Sequence, residues 1–108
     1  MAVLSLLFRS NKLQKFATCV RFFVKEGKAD AFISACETNP SYGEISSFLV
    51  KTGDLTFVWN AIFENEQALI DARPGMIGNL NRLRDHLQEI SPEKGVTDPV
   101  SGPVVDEK

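Results

Sequence analysis

The sequence predicts an all-α fold, a compact bundle of five or six short helices followed by a disordered C-terminal tail. Apolar side chains recur at intervals of three and four residues from Leu13 to Ile90, the period of helices buried on one face. No Asn-Gly or Asp-Gly dipeptide joins two alternating segments, so no β-hairpin is indicated. From Ser91 onward the chain carries three prolines and two glycines without periodicity, which is typical of disorder.

Length and composition indicate a single domain. The chain has 108 residues, of which 44% are hydrophobic and 24% are charged, close to the values of ordinary globular proteins. A chain of this size can build one hydrophobic core without metals or disulfides. We expect an apolar arm or short helix over residues 1–10, a helical domain over 11–90 and the disordered tail over 91–108.

The first long helix is predicted over residues 11–26. A serine or asparagine can cap its start, and Gly27 is a suitable residue to follow its end. A second, shorter helix is expected over residues 29–37, because the Asn39-Pro40 pair disfavours helical backbone beyond it. The apolar stripe of the first helix consists of Leu13, Phe16, Ala17, Val20, Phe23 and Val24.

Three more helices follow in the prediction. Residues 41–44, Ser-Tyr-Gly-Glu, have the spacing of a capping box, which would begin a helix that ends near Gly53. Asp54 would cap the next helix, and the Arg-Pro-Gly sequence at 73–75 would end it. The last helix is expected over about 76–90.

Reactive groups are few and scattered, which predicts that the chain is not an enzyme. His86 is the single histidine and is expected on the outer, solvated face of the last helix. No glycine-rich phosphate loop, zinc-ligand spacing or calcium loop occurs, so the sequence indicates no catalytic residue, metal site or cofactor. Two questions stay open: whether Cys19 and Cys36 pair, and whether the polar residues 64–67 break a helix.

Function is therefore expected to depend on surface and shape. The main prediction is a non-enzymatic helical binding module that engages an apolar small molecule or an amphipathic protein partner through an aromatic-lined groove. The expected groove residues are Phe22, Phe48, Phe57 and Trp59.

Two alternatives use other surfaces. A small nucleic-acid-binding protein would hold duplex RNA or DNA on the basic N-terminal helix. A homodimeric adaptor or assembly subunit would associate through the arm at residues 3–8 or through the last helix. The basic face consists of Arg9, Lys12, Lys15, Arg21 and Lys25.

The apolar start of the chain, residues 1–8, lacks the basic flank and the cleavage site of a signal peptide. No apolar run is long enough to span a bilayer. The sequence therefore favours a soluble, cytoplasmic protein.

A set of apolar, proline, tyrosine and glycine positions between residues 23 and 78 has a recognisable spacing. The positions are Phe23-Val24, Phe32-Ile33, Cys36, Pro40, Tyr42, Ile45, Leu49, Gly53, Trp59-Asn60, Gly75 and Gly78. With this spacing, residues 23–78 resemble one unit of the insect allergen-related repeat of cockroach-type allergens and midgut microvillar proteins. The resemblance implies a capsule of short helices around an apolar cavity that holds fatty acyl chains.

Overall fold

The computed structural model describes residues 14–108, which form an antiparallel four-stranded sheet with two helices packed on one of its faces. The strands follow the order β2-β3-β1-β4 across the sheet. This βαββαβ topology is the ferredoxin-like α+β fold, so the predicted all-α bundle is wrong. The elements are β1 (Phe16–Phe23), α1 (Ala29–Glu37), β2 (Ser46–Lys51), β3 (Thr56–Phe63), α2 (Glu66–Leu83) and β4 (Asp98–Pro103), and a 3-10 turn (Arg84–His86) follows α2.

The segment predicted as the first long helix contains β1. Its sequence, Phe-Ala-Thr-Cys-Val-Arg-Phe-Phe, is rich in aromatic and β-branched residues, which fit the pleated surface of a sheet. Thr18 and Phe22 are buried beneath the helices, whereas the intervening Cys19 and Arg21 lie on the opposite face. Because apolar residues occur on both faces of the strand, their spacings coincide with those of a helix.

A hairpin replaces the two helices expected between residues 42 and 63. β2 pairs with β3, and the backbone N–H groups of Thr52 and Gly53 both donate to the carbonyl oxygen of Thr56, at 2.9 and 3.3 Å. A Cβ atom on Gly53 would lie only 2.6 Å from the Thr56 hydroxyl oxygen, so this tight turn requires glycine. Asp54 lies in the same turn and does not cap a helix.

The predicted capping box over residues 41–44 forms a local turn, and a strand follows it. Ser41 Oγ donates to Glu44 Oε1 at 3.0 Å, and the backbone N–H of Tyr42 donates to the same oxygen at 2.6 Å. These hydrogen bonds stabilise the connection between α1 and β2, and no helix begins there.

Helix α1 spans the predicted residues 29–37, so this element is confirmed. Helix α2 begins after Asn65, whose side chain accepts a hydrogen bond from the N–H of Ala68 at 2.9 Å. Of the polar residues 64–67, the first two thus separate β3 from α2 and the last two begin the helix. The break expected at 73–75 is wrong, because Pro74 lies inside α2. Of the helix expected at about 76–90, residues 76–83 are the second half of α2, residues 84–86 form the 3-10 turn, and residues 87–90 are not helical.

The tail expected over residues 91–108 contains β4, so its predicted disorder is wrong. β4 pairs with β1 along six residues, and the N–H of Val104 continues the ladder by donating to the carbonyl of Lys15 at 2.8 Å. β4 is an edge strand, where Pro99 and Pro103 need not donate to a further strand.

The core lies between the helices and one face of the sheet. It has two buried clusters, one around Phe32 of α1 and one around Leu69 of α2, and both also contain residues of β3. The opposite face of the sheet carries neither of these helices. In residues 14–108, no helix is long and apolar enough to cross a membrane.

Candidate functional site

A cleft of about 490 Å³ lies between α2 and the sheet, above β1 and β4. α2 packs against β1 and β3, and the cleft opens where the helix passes beside β4. One stripe of α2 forms its upper wall, with Leu69, Met76 and Leu80 among the contributing residues. The spacing of these residues places them on one face of the helix.

The lining of the cleft is mostly apolar. Phe22 and Trp59 form part of the floor, and Leu83 closes the inner end against the core. The apolar lining residues are Val20, Phe22, Tyr42, Trp59, Leu69, Met76, Ile77, Leu80, Leu83 and Pro99, and the more polar ones are Thr18, Cys36, Asn39, Arg73, Asn79, Thr97 and Ser101. Such a surface favours a mostly apolar ligand that carries a few polar groups.

Arg73 is the single charged side chain among the described residues that line the cleft. It is exposed at the rim and forms no ion pair with any residue in 14–108. The lining includes no carboxylate and no histidine from that part of the chain. The rim is therefore suited to an anionic group of a ligand.

Two weakly acidic groups share the cleft with Arg73. Burial raises the pKa of the Cys36 thiol to about 11, although the charge of Arg82 opposes this shift. Burial also raises the pKa of the Tyr42 hydroxyl, against the effect of its hydrogen bond with Asn79. Both groups are protonated at neutral pH and can donate hydrogen bonds, but neither can serve as a general base there.

The Arg82 guanidinium ties the end of α1 to α2 beside the cleft. It donates to Asn39 Oδ1 at 2.6 Å and to the carbonyl oxygen of Ala35 at 3.3 Å, while its Nε donates to Asn79 Oδ1 at 3.1 Å. These bonds fix the two asparagine side chains that line the cleft. Because the Arg82 guanidinium is engaged in these hydrogen bonds, the positive charge available to a ligand is that of Arg73.

The residues predicted for an aromatic groove divide between this cleft and a second cavity beside it, which Phe48, Phe57 and Trp59 line. Phe22 and Trp59 line the cleft, whereas Phe57 is 1% exposed in the core beneath α1. Phe48 lies on the edge strand β2, with 56% of its surface exposed. The sheet therefore brings two of the four residues into the cleft.

The predicted basic face is not the face of a helix. Lys15 pairs with Glu107 at 2.8 Å, and Arg21 pairs with Asp98 at 2.7 Å across β1 and β4. Lys25 lies beyond the end of β1. Arg9 and Lys12, like the apolar arm at residues 1–10, lie outside the described residues.

The histidine and the cysteines are also placed differently from expectation. His86 is half-buried in the 3-10 turn, and its Nδ1 atom is buried without a hydrogen-bond partner in residues 14–108, so it is not a solvated surface group. Cys19 and Cys36 are free thiols on different sides of the sheet. No cluster of metal-ligating side chains occurs in this described part of the chain.

Several cleft residues were missed by the sequence analysis. Arg73 and Asn79 belong to α2 and Tyr42 to the connection between α1 and β2, and only the fold brings Tyr42 beside that helix. The one usable signal was an arginine within the apolar stripe of a helix, at Leu69, Arg73 and Ile77. The predicted helix break at 73–75 concealed that stripe.

No protein-family model matches the chain, and no curated protein matches its sequence. Solved structures share the fold at low identity. SnoaB, a cofactor-independent oxygenase from Streptomyces nogalater, has 17% identity and a TM-score of 0.61, covering 88% of this chain and 95% of that chain. A proposed antibiotic biosynthesis monooxygenase from Nitrosomonas europaea has 16% identity and a TM-score of 0.67, covering 85% and 91%.

A dimeric ferredoxin-like protein from an uncultured marine organism is similar over 94% of this chain and 96% of that chain, with 11% identity and a TM-score of 0.66. The ferredoxin-like architecture contradicts the predicted helical binding module, and β1 occupies much of the segment in which the nucleic-acid-binding alternative expected a basic helix. The oxygenases among the similar structures also contradict the expectation of a non-enzyme. The resemblance to the insect allergen-related repeat stays a prediction, but the helical capsule that it implies is wrong.

Proposed function

We propose that this chain is an oxygenase that binds a flat, apolar, anionic substrate in the cleft beneath α2. The observation that carries the proposal is the lining itself, an apolar space of about 490 Å³ whose rim carries the guanidinium of Arg73, which has no ion-pair partner within residues 14–108. The fold shared with a cofactor-independent oxygenase supports this choice over other reactions of apolar ligands.

The chemistry requires a substrate that supplies its own electrons when no redox cofactor takes part. An aromatic compound with an acidic methylene group meets this requirement, because its anion can reduce O₂. The methylene carbon becomes a carbonyl, one oxygen atom of O₂ is retained in it, and the other leaves as water with the two methylene hydrogens. All four electrons come from the substrate.

The cleft residues favour the anionic form of such a substrate. The positive charge of Arg73 lowers the pKa of an acidic group placed beside it. The protonated Tyr42 hydroxyl and the Asn79 side chain can donate hydrogen bonds to the substrate oxygen as it gains charge. The apolar walls exclude water from the reacting carbon.

The proposal is tested with an oxygen electrode and anthrone, a three-ring ketone with an acidic methylene group. We expect the protein to accelerate uptake of one O₂ per anthrone, with anthraquinone and water as products. Arg73→Gln should slow the reaction, whereas Arg84→Gln, which changes an arginine bonded to Asn81 outside the cleft, should not. Uptake no faster than in protein-free buffer contradicts the proposal.

We also infer that a second copy of the chain covers the open face of the sheet. Val100 and Phe48 on this face are 65% and 56% exposed. The charge there is largely neutralised, because Arg21 pairs with Asp98 and lies 5.1 Å from the centroid of the Phe23 ring. The apolar residues that the register places on this face are Ala17, Cys19, Phe23, Phe48, Val50, Val58, Ile62 and Val100.

A dimer would bury these residues, and one similar structure is itself dimeric. Light scattering after size-exclusion chromatography tests the inference. We expect a dimer for the wild type and a monomer for Val100→Glu, whereas Val105→Glu, at an 85% exposed position beyond β4, should remain a dimer. A monomeric wild type at its highest soluble concentration contradicts it.

A further inference from the structure

A second cavity of about 520 Å³ lies on the other side of Tyr42 from the cleft. It is bounded by α1, by β2 and by the connection between them. Ile33, Leu49 and Phe57 give it an apolar floor, and Glu37 and Lys51 lie at its polar side. The reaction proposed above makes no use of this space.

The two cavities have a common wall. Cys36, Asn39, Tyr42 and Trp59 line both of them. Cys36 and Trp59 belong to α1 and β3, and Asn39 is held by the Arg82 guanidinium at 2.6 Å. Tyr42 is the member of this wall whose ring reaches from the irregular connection to α2.

Three contacts hold the Tyr42 ring in that position. It meets the Trp59 ring edge-on, with centroids 6.0 Å apart and an angle of 87° between the planes. Its Cδ1 atom lies 3.6 Å from the position of a Cβ on Gly75, so the ring lies close to the backbone of α2. Its hydroxyl lies beside the Asn79 side chain.

We propose that Tyr42 is a specificity-determining residue that ends the cleft and limits the length of the bound molecule. This inference rests on the proposed function in one respect, since it takes an apolar anion held near Arg73 as the ligand. A short ligand fits between Arg73 and the Tyr42 ring. A longer one meets the ring, and removal of the ring joins the cleft to the second cavity.

The test uses two rod-shaped probes with the same anionic group, biphenyl-4-carboxylate and p-terphenyl-4-carboxylate. Trp59, the only tryptophan, lies in the common wall, so quenching of its fluorescence reports binding, and calorimetry checks each dissociation constant. In the wild type we expect the terphenyl probe to bind at least about tenfold more weakly than the biphenyl probe. In Tyr42→Ala the two constants should agree to within about twofold.

Tyr42→Phe is the matched control, because it keeps the ring and removes only the hydroxyl, and it should retain the wild-type ratio. Circular dichroism establishes that each variant is folded; if Tyr42→Ala is not, Tyr42→Leu replaces it. If the ratio of the two dissociation constants in Tyr42→Ala, or in Tyr42→Leu where that replaces it, equals the wild-type ratio, the inference is overturned. When the ratio is unchanged although the biphenyl probe binds and Arg73→Gln weakens it, only the role of Tyr42 is overturned and the anion-binding cleft stands. If neither probe binds the wild type, the anion-binding cleft fails together with it.

Discussion

The Phe32 ring of α1 packs against the Phe57 ring of β3, with centroids 5.2 Å apart and planes inclined at 50°. Both side chains are almost fully buried, at 0% and 1% exposure, so this contact joins the helix to the centre of the sheet. Phe32→Ala should lower the free energy of unfolding by about 3–5 kcal/mol, because it removes a buried ring and leaves a cavity. Urea denaturation measures the loss.

Ile70→Ala provides the control, because it removes an apolar side chain that is 42% exposed on α2. We expect it to change the free energy of unfolding by no more than about 0.5 kcal/mol. Equal losses in the two variants would contradict the placement of α1 on the sheet.

The Asp98 carboxylate, at the start of β4, pairs with two cations. We expect these ion pairs to make the stability of the fold sensitive to acid. Hydrogen bonds from Lys94 and Arg21, both at 2.7 Å, hold the pKa of Asp98 below its usual value. Since the folded pKa lies below the unfolded one, the stabilisation is complete above the unfolded pKa and disappears as the pH falls through the folded pKa. Thermal unfolding should therefore separate wild type from Asp98→Asn near neutral pH, and the difference should close in acid.

Asp106→Asn is the comparison for this pH series, since Asp106 pairs with Lys108 at the exposed end of the chain. We expect it to follow the wild type throughout, because exposed pairs contribute little. If the difference in unfolding temperature between wild type and Asp98→Asn did not change with pH, the substitution would act through something other than the charge.

The sequence predicted α1 correctly because that helix buries one face, around Phe32, and is followed by Asn39-Pro40. The same periodicity failed for β1 and β3, which have apolar residues on both faces and so lack strict alternation. Their content of aromatic and β-branched residues was the better indicator. β4 was missed because Pro99 and Pro103, which suggest disorder, are tolerated on an edge strand.

The candidate site was less accessible to sequence reasoning than the helices. Phe22 and Trp59 were predicted as residues of an aromatic-lined groove, but Arg73, which shares the cleft with them, lies on α2 and Tyr42 lies in the α1–β2 connection. These residues meet because α2 packs over β1, a long-range contact that no local pattern encodes. The prediction that the chain is not an enzyme followed from a search for reactive groups such as histidines and carboxylates. None of the described residues that line the cleft is a histidine or a carboxylate.

The half-buried Cys36 thiol should resist alkylation. Since burial raises its pKa from 9.0 to about 11, its thiolate fraction near pH 8 should be about a hundredfold lower than that of an ordinary thiol. We expect slow reaction with iodoacetamide in a Cys19→Ser background, with no plateau of the rate below about pH 10. A rate that levels off near pH 9 would show that the thiol is not buried in the folded protein. Bound biphenyl-4-carboxylate should slow the reaction further.

Arg73 should contribute to affinity through its charge. Because it is exposed at the rim, Arg73→Gln should weaken biphenyl-4-carboxylate by only about fivefold, which corresponds to ~1 kcal/mol for an exposed ion pair. The loss should shrink in high salt, and the uncharged analogue 4-hydroxymethylbiphenyl should bind wild type and variant alike. Equal weakening of both probes would indicate a change of cleft shape instead of a lost charge.

Pro74 should limit the stability of α2. In a helix interior, proline cannot donate a hydrogen bond to the carbonyl four residues earlier, which destabilises the folded state by about 3 kcal/mol. Its rigidity also reduces the entropy of the unfolded chain, which stabilises the fold by at most ~1 kcal/mol. Pro74 lies inside α2 and its side chain is exposed, so Pro74→Ala restores a backbone donor without removing a core contact. We therefore expect the free energy of unfolding to rise by about 1–2 kcal/mol. Pro92→Ala, in a turn outside the helices, should instead lower it slightly, because there only the rigidity is lost. A loss of stability in both variants would mean that Pro74 itself stabilises α2 in its position over the cleft.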